Sequence, residues 1–148
     1  GSADLEQNVY IFGTGNPVPM YDPEARPGDN LFTNSVIAAD LDTGEMKWYF
    51  QYTPGDYLDY DETGVHLLYD TEVDGEMRKV VGHFGRNGFY YQLDRNNGSF
   101  ITGDQYVNEL NWTAGLDPKT GKPLGYDASA PLQEYVAGGA PRRGKEGV

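Results

Sequence analysis

The chain has 148 residues, the length of one ordinary domain, and its 38% hydrophobic content excludes a chain that is disordered by composition. A formal net charge of −12 argues against nucleic acid or an anionic membrane as a partner and suits divalent cations or a basic protein. Because cysteine is absent, a disulfide framework and a thiolate metal site are excluded. No apolar run is long enough to span a membrane, and no signal peptide opens the chain.

Short aromatic segments between turns dominate the sequence, which contains 20 Gly, 9 Pro and 12 Tyr. Such segments favour strands over helices, and no stretch has convincing helical periodicity. Strands are predicted at residues 8–12, 34–40, 46–52, 65–70, 79–84 and 89–93. In the third of them Trp48, Phe50 and Tyr52 share one face, as expected of side chains that pack between sheets.

A turn motif recurs three times and predicts hairpins. Asp40-x-x-Thr43-Gly44 returns as Asp94 to Gly98 and again as Asp117 to Gly121, with Gly placed for the left-handed position. Repeated short strands predict repeated antiparallel sheets, and those present make roughly two four-stranded units, too few to close a ring. The chain should therefore expose strand edges or pair them with another copy, a possible route to self-association.

An acidic stretch, Asp56 to Glu62, follows the third strand and holds four carboxylates. In an extended run Asp59 and Asp61 would point the same way, about 7 Å apart at Cα, with Tyr60 and Glu62 on the other face. Such a pair predicts either an oxygen-ligand metal site with one carboxylate free for proton abstraction, or an acidic surface turn.

The first predicted strand ends at Gly13-Thr14-Gly15-Asn16-Pro17. The two glycines allow positive φ or a close backbone approach, and the proline holds Asn16 extended. The short amide of Asn16 is a candidate ligand carbonyl, with a plain turn as the alternative. His66 and His83 have no partner pattern and are predicted to be strand-surface or packing residues.

Six motifs in register make the sequence resemble the quinoprotein alcohol dehydrogenases over roughly residues 8–125. They are Gly13-Thr14-Gly15-Asn16-Pro17, Arg26-Pro27-Gly28-Asp29-Asn30, Asp40-x-Asp42-Thr43-Gly44-x-x-x-Trp48, Thr53-Pro54-x-Asp56-x-x-Asp59-Tyr60-Asp61, Arg86-Asn87-Gly88-Phe89-x-Tyr91-x-Leu93-Asp94-Arg95 and Gly115-Leu116-Asp117-Pro118-Lys119-Thr120-Gly121. The family fold is an eight-bladed β-propeller with tryptophan docking motifs. The resemblance implies an all-β chain of about two blades, with residues 1–125 as a partial propeller and residues 126–148 as a loop or tail. Trp48 and Trp112 are then expected in the core or at blade docking.

The resemblance also implies roles for four residues. Asn16 matches the family's asparagine ligand to the active-site metal, and Asp59 matches the aspartate that takes the alcohol's proton and also approaches the metal. Asp61 matches the extra aspartate of lanthanide-using members. Arg86 matches the arginine beside the carbonyls of pyrroloquinoline quinone (PQQ). The implied cofactors are PQQ and Ca²⁺ or a lanthanide ion.

Leu58 and Met20 stand where family members commonly have tryptophan, so the resemblance does not define which alcohol is the substrate. The family's glutamate metal ligand, its vicinal cysteines and the tryptophan under the quinone have no counterpart here. The resemblance implies a central fragment of a PQQ-dependent enzyme that oxidises a primary alcohol to an aldehyde, with the isolated chain inactive. A periplasmic location and a cytochrome c electron acceptor follow from the same resemblance. The alternative is a non-catalytic β-repeat scaffold or interaction module.

Overall fold

The computed structural model of the chain describes residues 1–128, and all regular structure in that range is β-strand. The predicted segment 126–148 lies mostly outside the described residues. Among those described, no helix is long and apolar enough to cross a membrane.

Two antiparallel four-stranded sheets follow one another along the chain, each with its strands in sequence order. The first sheet contains β1 (Ser2–Asp4), β2 (Val9–Gly13), β3 (Ser35–Asp40) and β4 (Met46–Gln51). The second contains β5 (His66–Val73), β6 (Glu76–Phe84), β7 (Phe89–Asp94) and β8 (Phe100–Gln105). The prediction of two antiparallel four-stranded units is therefore confirmed. The six strands predicted individually are present, whereas β1 and β8 were not predicted.

The recurring turn motif closes hairpins as expected. The Asp40 side chain accepts the N–H groups of Asp42 and Thr43 at 3.0 Å each, and Gly44 takes a φ of 74°. A carboxylate that caps its own turn in this way fixes the register of the β3–β4 hairpin. The second copy joins β7 to β8, and the third lies between Leu116 and Pro123, which form an isolated β-bridge.

The core lies between the two sheets and is largely aromatic. Phe50 of β4 stacks with Phe100 at a ring-centroid distance of 6.2 Å, and Tyr52 contacts Tyr91 at 4.7 Å. Trp48 lies over Gly98, where a Cβ would come within 2.5 Å of the indole ring. The predicted apolar face of β4 thus packs on the neighbouring sheet, with Trp48 docked on the next hairpin turn.

A buried ion pair also joins the sheets. Arg95, after β7, lies 2.9 Å from the carboxylate of Asp4 in β1 and 2.9 Å from that of Asp70 in β5. The Arg95 Nε and Asp4 Oδ2 atoms are not aligned for a hydrogen bond, so their attraction is mainly between charges. Because the Asp4 carboxylate is buried, the loss of Arg95 leaves it without a compensating charge.

We therefore expect Arg95→Ala to lower the free energy of unfolding by about 3 kcal/mol. Lys79→Ala is the matched control, because Lys79 also joins the two sheets through Glu6 but does so at the surface. Exposed pairs contribute about 1 kcal/mol or less. Urea unfolding of both variants measures the difference, and equal losses would contradict a dominant role for the buried pair.

Candidate active site

The turn after β2 brings Asn16 against the acidic stretch. The backbone N–H of Asn16 donates to Asp61 Oδ1 at 2.7 Å, and its side-chain Nδ2 donates to the carbonyl of Pro17 at 3.0 Å. Gly13 and Gly15 permit this contact, since a Cβ would lie 1.8 Å from the Glu62 carbonyl at the first and 2.9 Å from Asp61 Oδ1 at the second. The two glycines therefore allow the turn after β2 to approach the acidic stretch closely. Asn16 Oδ1 accepts no hydrogen bond from the described residues and stays available as a donor to a cation.

The acidic stretch is not an extended strand, so the predicted alternation of its side chains is wrong. Residues 52–65 form no strand, and Asp59 has a φ of 64°, in the left-handed region. A residue in that conformation reverses the local chain direction, so Asp59 and Asp61 do not follow the period of a strand. Glu62 is fully buried, unlike the half-exposed Asp59 and Asp61.

Asp56 holds the stretch in this shape. Its buried carboxylate accepts the backbone N–H groups of Leu58 at 2.7 Å and Tyr60 at 2.8 Å, and the side chain of Asn34 at 2.9 Å. Burial raises the pKa of Asp56, while the three hydrogen bonds oppose that rise. One of the four carboxylates is thus a structural element that shapes the loop around Asp59.

Arg86 completes the group at the surface. It lies in the tight turn between β6 and β7, and its guanidinium is 3.3 Å from Asp61 Oδ2. Arg86 is 59% exposed and Asp61 30%, so the pair faces solvent. Asn16, Asp61 and Arg86 are therefore brought together by direct contacts, through the backbone N–H of Asn16 and the guanidinium of Arg86.

Asp59 lies two residues from Asp61 but shares no hydrogen bond or ion pair with it, with Asn16 or with Arg86. Its carboxylate makes no such contact with any residue of the described part of the chain. Among residues 1–128, no group of three or more His, Cys, Asp and Glu side chains is placed to hold a metal ion. The donors that could hold one are oxygens only: the Asn16 amide and the Asp59 and Asp61 carboxylates.

A buried polar network beneath these residues was not predicted. His66 and His83, read from the sequence as strand-surface or packing residues without partners, are buried and stack at 4.0 Å with an interplanar angle of 3°. His83 Nε2 is 2.8 Å from Glu62 Oε2, and His66 Nε2 is 3.1 Å from the Tyr52 hydroxyl. The histidines do pack, but each also has a polar partner.

Two backbone carbonyls define the protons of these rings. Nδ1 of His66 lies 3.0 Å from the Gly64 carbonyl and Nδ1 of His83 lies 3.1 Å from that of Val65, so each Nδ1 carries a proton. Burial, and then the charge of His83, lowers the pKa of His66 to about 3, so His66 is neutral at pH 7 and its Nε2 accepts from Tyr52. Burial raises the pKa of Glu62, which shares one proton with His83 Nε2.

Comparison with known proteins identifies the family. The sequence model of the family described as PQQ, "Glucose/ethanol/alcohol dehydrogenase, beta-propeller domain", matches residues 1–109, nearly three quarters of the chain. The chain belongs to this quinoprotein dehydrogenase family. It is 44% identical over 131 residues to the quinoprotein alcohol dehydrogenase PedH of Pseudomonas putida, covering 88% of this chain and 22% of that protein. It is 42% identical over 134 residues to the putative dehydrogenase XoxF of Paracoccus denitrificans, covering 90% and 22%.

Solved structures agree with this assignment. The quinohemoprotein alcohol dehydrogenase from Comamonas testosteroni superimposes with a TM-score of 0.79 at 44% identity, covering 85% of this chain and 19% of that one. A europium-containing methanol dehydrogenase gives a TM-score of 0.79 at 35% identity, covering 83% and 21%. This quinoprotein segment therefore spans about a fifth of the length of the relatives it matches. Its two sheets are part of the propeller domain that names the family.

Proposed function

We propose that this quinoprotein segment is part of a PQQ- and metal-dependent alcohol dehydrogenase that oxidises a primary alcohol to an aldehyde. The observation that carries the proposal is the meeting of Asn16, Asp61 and Arg86 at one surface, near Asp59, whose carboxylate has no partner among residues 1–128. A non-catalytic scaffold or interaction module would not require these four residues to lie close together. The names of the relatives, which include quinoprotein and quinohemoprotein alcohol dehydrogenases, support the same reaction.

The donor set fits a hard cation. Asn16 Oδ1 accepts no hydrogen bond from the described residues, and Asp61 Oδ2 has only the Arg86 guanidinium, a positive charge, beside it. Oxygen ligands of this kind suit Ca²⁺, and an additional carboxylate favours a trivalent ion by charge. The europium in the name of one structural neighbour supports a lanthanide as well as calcium.

Each residue then has a role of its own. Asn16 and Asp61 would hold the metal, and Asp59 would take the hydroxyl proton of the alcohol on its carboxylate. Arg86 would place a fixed positive charge where negative charge develops. When bound, PQQ with its metal supplies the two-electron oxidant for the alcohol carbon.

The isolated chain is proposed to be inactive, because its relatives use about four times its length to build the enzyme. We test the proposal by purifying the complete enzyme, adding PQQ with Ca²⁺ or La³⁺, and following alcohol-dependent dye reduction. Activity that requires both additions supports the proposal, and a complete enzyme inactive towards all primary alcohols contradicts it. Turnover by the 148-residue chain alone would contradict the proposal that other parts of the complete enzyme are needed to form the active site.

We also propose a periplasmic location and a cytochrome c electron acceptor for the complete enzyme. The support is the haem implied by the quinohemoprotein relatives and the cytochrome c in the name of lupanine 17-hydroxylase of a Pseudomonas species. Reduction of added cytochrome c by the alcohol-treated enzyme tests the acceptor.

Self-association through β4 or β8, each at an open sheet edge, is a separate proposal that sedimentation of the chain tests.

Metal binding can be measured on the chain itself. We expect Arg86→Ala to tighten Tb³⁺ binding by about threefold to tenfold, because the guanidinium competes with the cation for Asp61. The double variant Asp59→Ala/Asp61→Ala should abolish saturable Tb³⁺ emission sensitised by tyrosine and tryptophan. Arg78→Ala is the control, since Arg78 pairs with Asp94 elsewhere. Unchanged binding in Arg86→Ala would contradict the competition.

A further inference from the structure

Glu62 connects the three segments that carry the candidate site. Its backbone N–H donates to the Thr14 carbonyl at 3.1 Å, in the turn that leads to Asn16. Its carboxylate Oε2 accepts the backbone N–H of Arg86 at 3.3 Å, and Asp61 precedes it in the chain. A single fully buried residue thus bonds the turn after β2 and the turn after β6 to the acidic stretch.

The Glu62 carboxylate has little freedom to move. His83 Nε2 lies 2.8 Å from the same Oε2 atom, and the His83 ring is itself fixed by Val65 and by its stacking on His66. Gly85 leaves room for the carboxylate, because a Cβ there would lie 3.2 Å from both of its oxygens. The acceptor of the Arg86 N–H is therefore fixed by packing on several sides.

We propose that Glu62 is a positioning residue, which anchors the Arg86 turn and the Asn16 turn to the acidic stretch and so places the Arg86 guanidinium at Asp61. Glu62 is fully buried, and it acts through the backbone of Arg86 and through its chain neighbour. The catalytic meaning of this role rests on the proposed function, whereas the anchoring itself does not. Among residues 1–128, the Arg86 side chain, which is 59% accessible, forms an ion pair with Asp61 alone.

The anchoring is tested by amide hydrogen exchange, measured by NMR on the 148-residue chain. In Glu62→Ala we expect the Arg86 amide to exchange at least about tenfold faster, because its buried acceptor is gone, and the Asn16 amide to keep its wild-type rate, because residue 62 still donates its backbone N–H to Thr14. Thr63→Ala, a change at the exposed neighbour, should leave both amides as in the wild type.

Glu62→Gln is the second variant, in case the alanine variant does not fold. One side-chain atom of Glu62 faces both His83 Nε2 and the Arg86 N–H. The amide nitrogen of glutamine can donate to His83 but repels the Arg86 N–H, while its oxygen accepts from Arg86 but leaves His83 without a donor. We therefore expect Glu62→Gln to keep the packing. The Arg86 amide should still exchange at least about threefold faster than in the wild type.

Tb³⁺ binding gives a readout that a purely structural role would not change. Leu93→Ala removes a buried side chain at the far end of β7 and serves as the stability-matched control. Under conditions where both variants are folded, Glu62→Ala should tighten Tb³⁺ binding about threefold relative to Leu93→Ala, because the Arg86 guanidinium is no longer held at Asp61, where it competes with the cation. Equal affinities would reduce Glu62 to a structural residue and overturn the proposal.

The two proposals fail in different ways. If the Arg86 amide exchanges at the wild-type rate in both Glu62 variants, the anchoring is overturned whatever the complete enzyme does. If exchange changes as expected but the complete enzyme shows no PQQ-dependent turnover, the anchoring stands and the proposed function fails.

Discussion

In the complete enzyme, Asp59→Asn is expected to lower kcat by about 10²- to 10⁴-fold, the range that a general base contributes. The Asp59 carboxylate makes no hydrogen bond or ion pair with the described residues, so it is free to take a proton. Asparagine keeps the shape but has no basic oxygen. It also tolerates the left-handed backbone at this position, where φ is 64°, whereas alanine would add strain of about 1 kcal/mol.

The chain supplies a matched control for this substitution. Asp74, in the exposed turn between β5 and β6, also has a left-handed backbone, with a φ of 53°. Asp74→Asn makes the same Asp-to-Asn replacement at a left-handed position and should leave kcat unchanged. Steady-state kinetics, with metal content measured on the same samples, separate loss of the base from loss of the metal. A fall in kcat of less than tenfold at full metal content would contradict the assignment of Asp59 as base.

The strands were predictable because their information is local. A short apolar run in β3, the alternation of Trp48 and Phe50 in β4 and the Asp-x-x-x-Gly turn predict the two strands and the hairpin between them without reference to the rest of the chain. β1 has only three residues, and it is a strand because Ser2 pairs with Ile11. β8 carries Gly103 within a short segment, so its strand character also comes from pairing, here with β7.

Only the more exposed residues of the proposed site have a signal in the sequence. Asn16, Asp61 and Arg86 came from motifs, and direct contacts join them. The sequence shows four carboxylates in a row but does not show which are buried. That division depends on contacts with distant residues, such as Thr14 and His83 for Glu62, and on the left-handed backbone of Asp59.

The buried histidines illustrate the same limit. Nothing near His66 in the sequence indicates Tyr52, although the two side chains lie 3.1 Å apart. A polar pair of this kind arises when two sheets pack, so only the tertiary structure shows it. The signal that could have suggested it is weak: Glu62 directly follows Asp61, and His83 precedes Arg86 by three residues.

The pH dependence of stability is expected to carry the signature of His66. Its folded pKa is about 3, mainly because of burial, against an ordinary value of 6.5 in the unfolded chain. Between these values the unfolded state binds more protons, so the free energy of unfolding falls as pH falls below 6.5. The contribution of His66 that is lost by pH 3 is on the order of 4 kcal/mol. Glu62 opposes this trend: its pKa is raised, so its contribution is lost as pH rises above 4.5.

Urea unfolding at pH 7 and pH 5 tests this expectation on the wild-type chain and on His66→Gln. From pH 7 to pH 5, the titration of His66 should lower the free energy of unfolding of the wild type by about 2 kcal/mol. This part of the decrease should be absent in His66→Gln, because glutamine does not titrate. Glutamine can still accept from the Tyr52 hydroxyl, which limits the damage to packing at pH 7. Leu93→Ala, destabilised without a change in any titrating group, should keep the wild-type difference. If His66→Gln kept it too, another group would be responsible for the acid sensitivity.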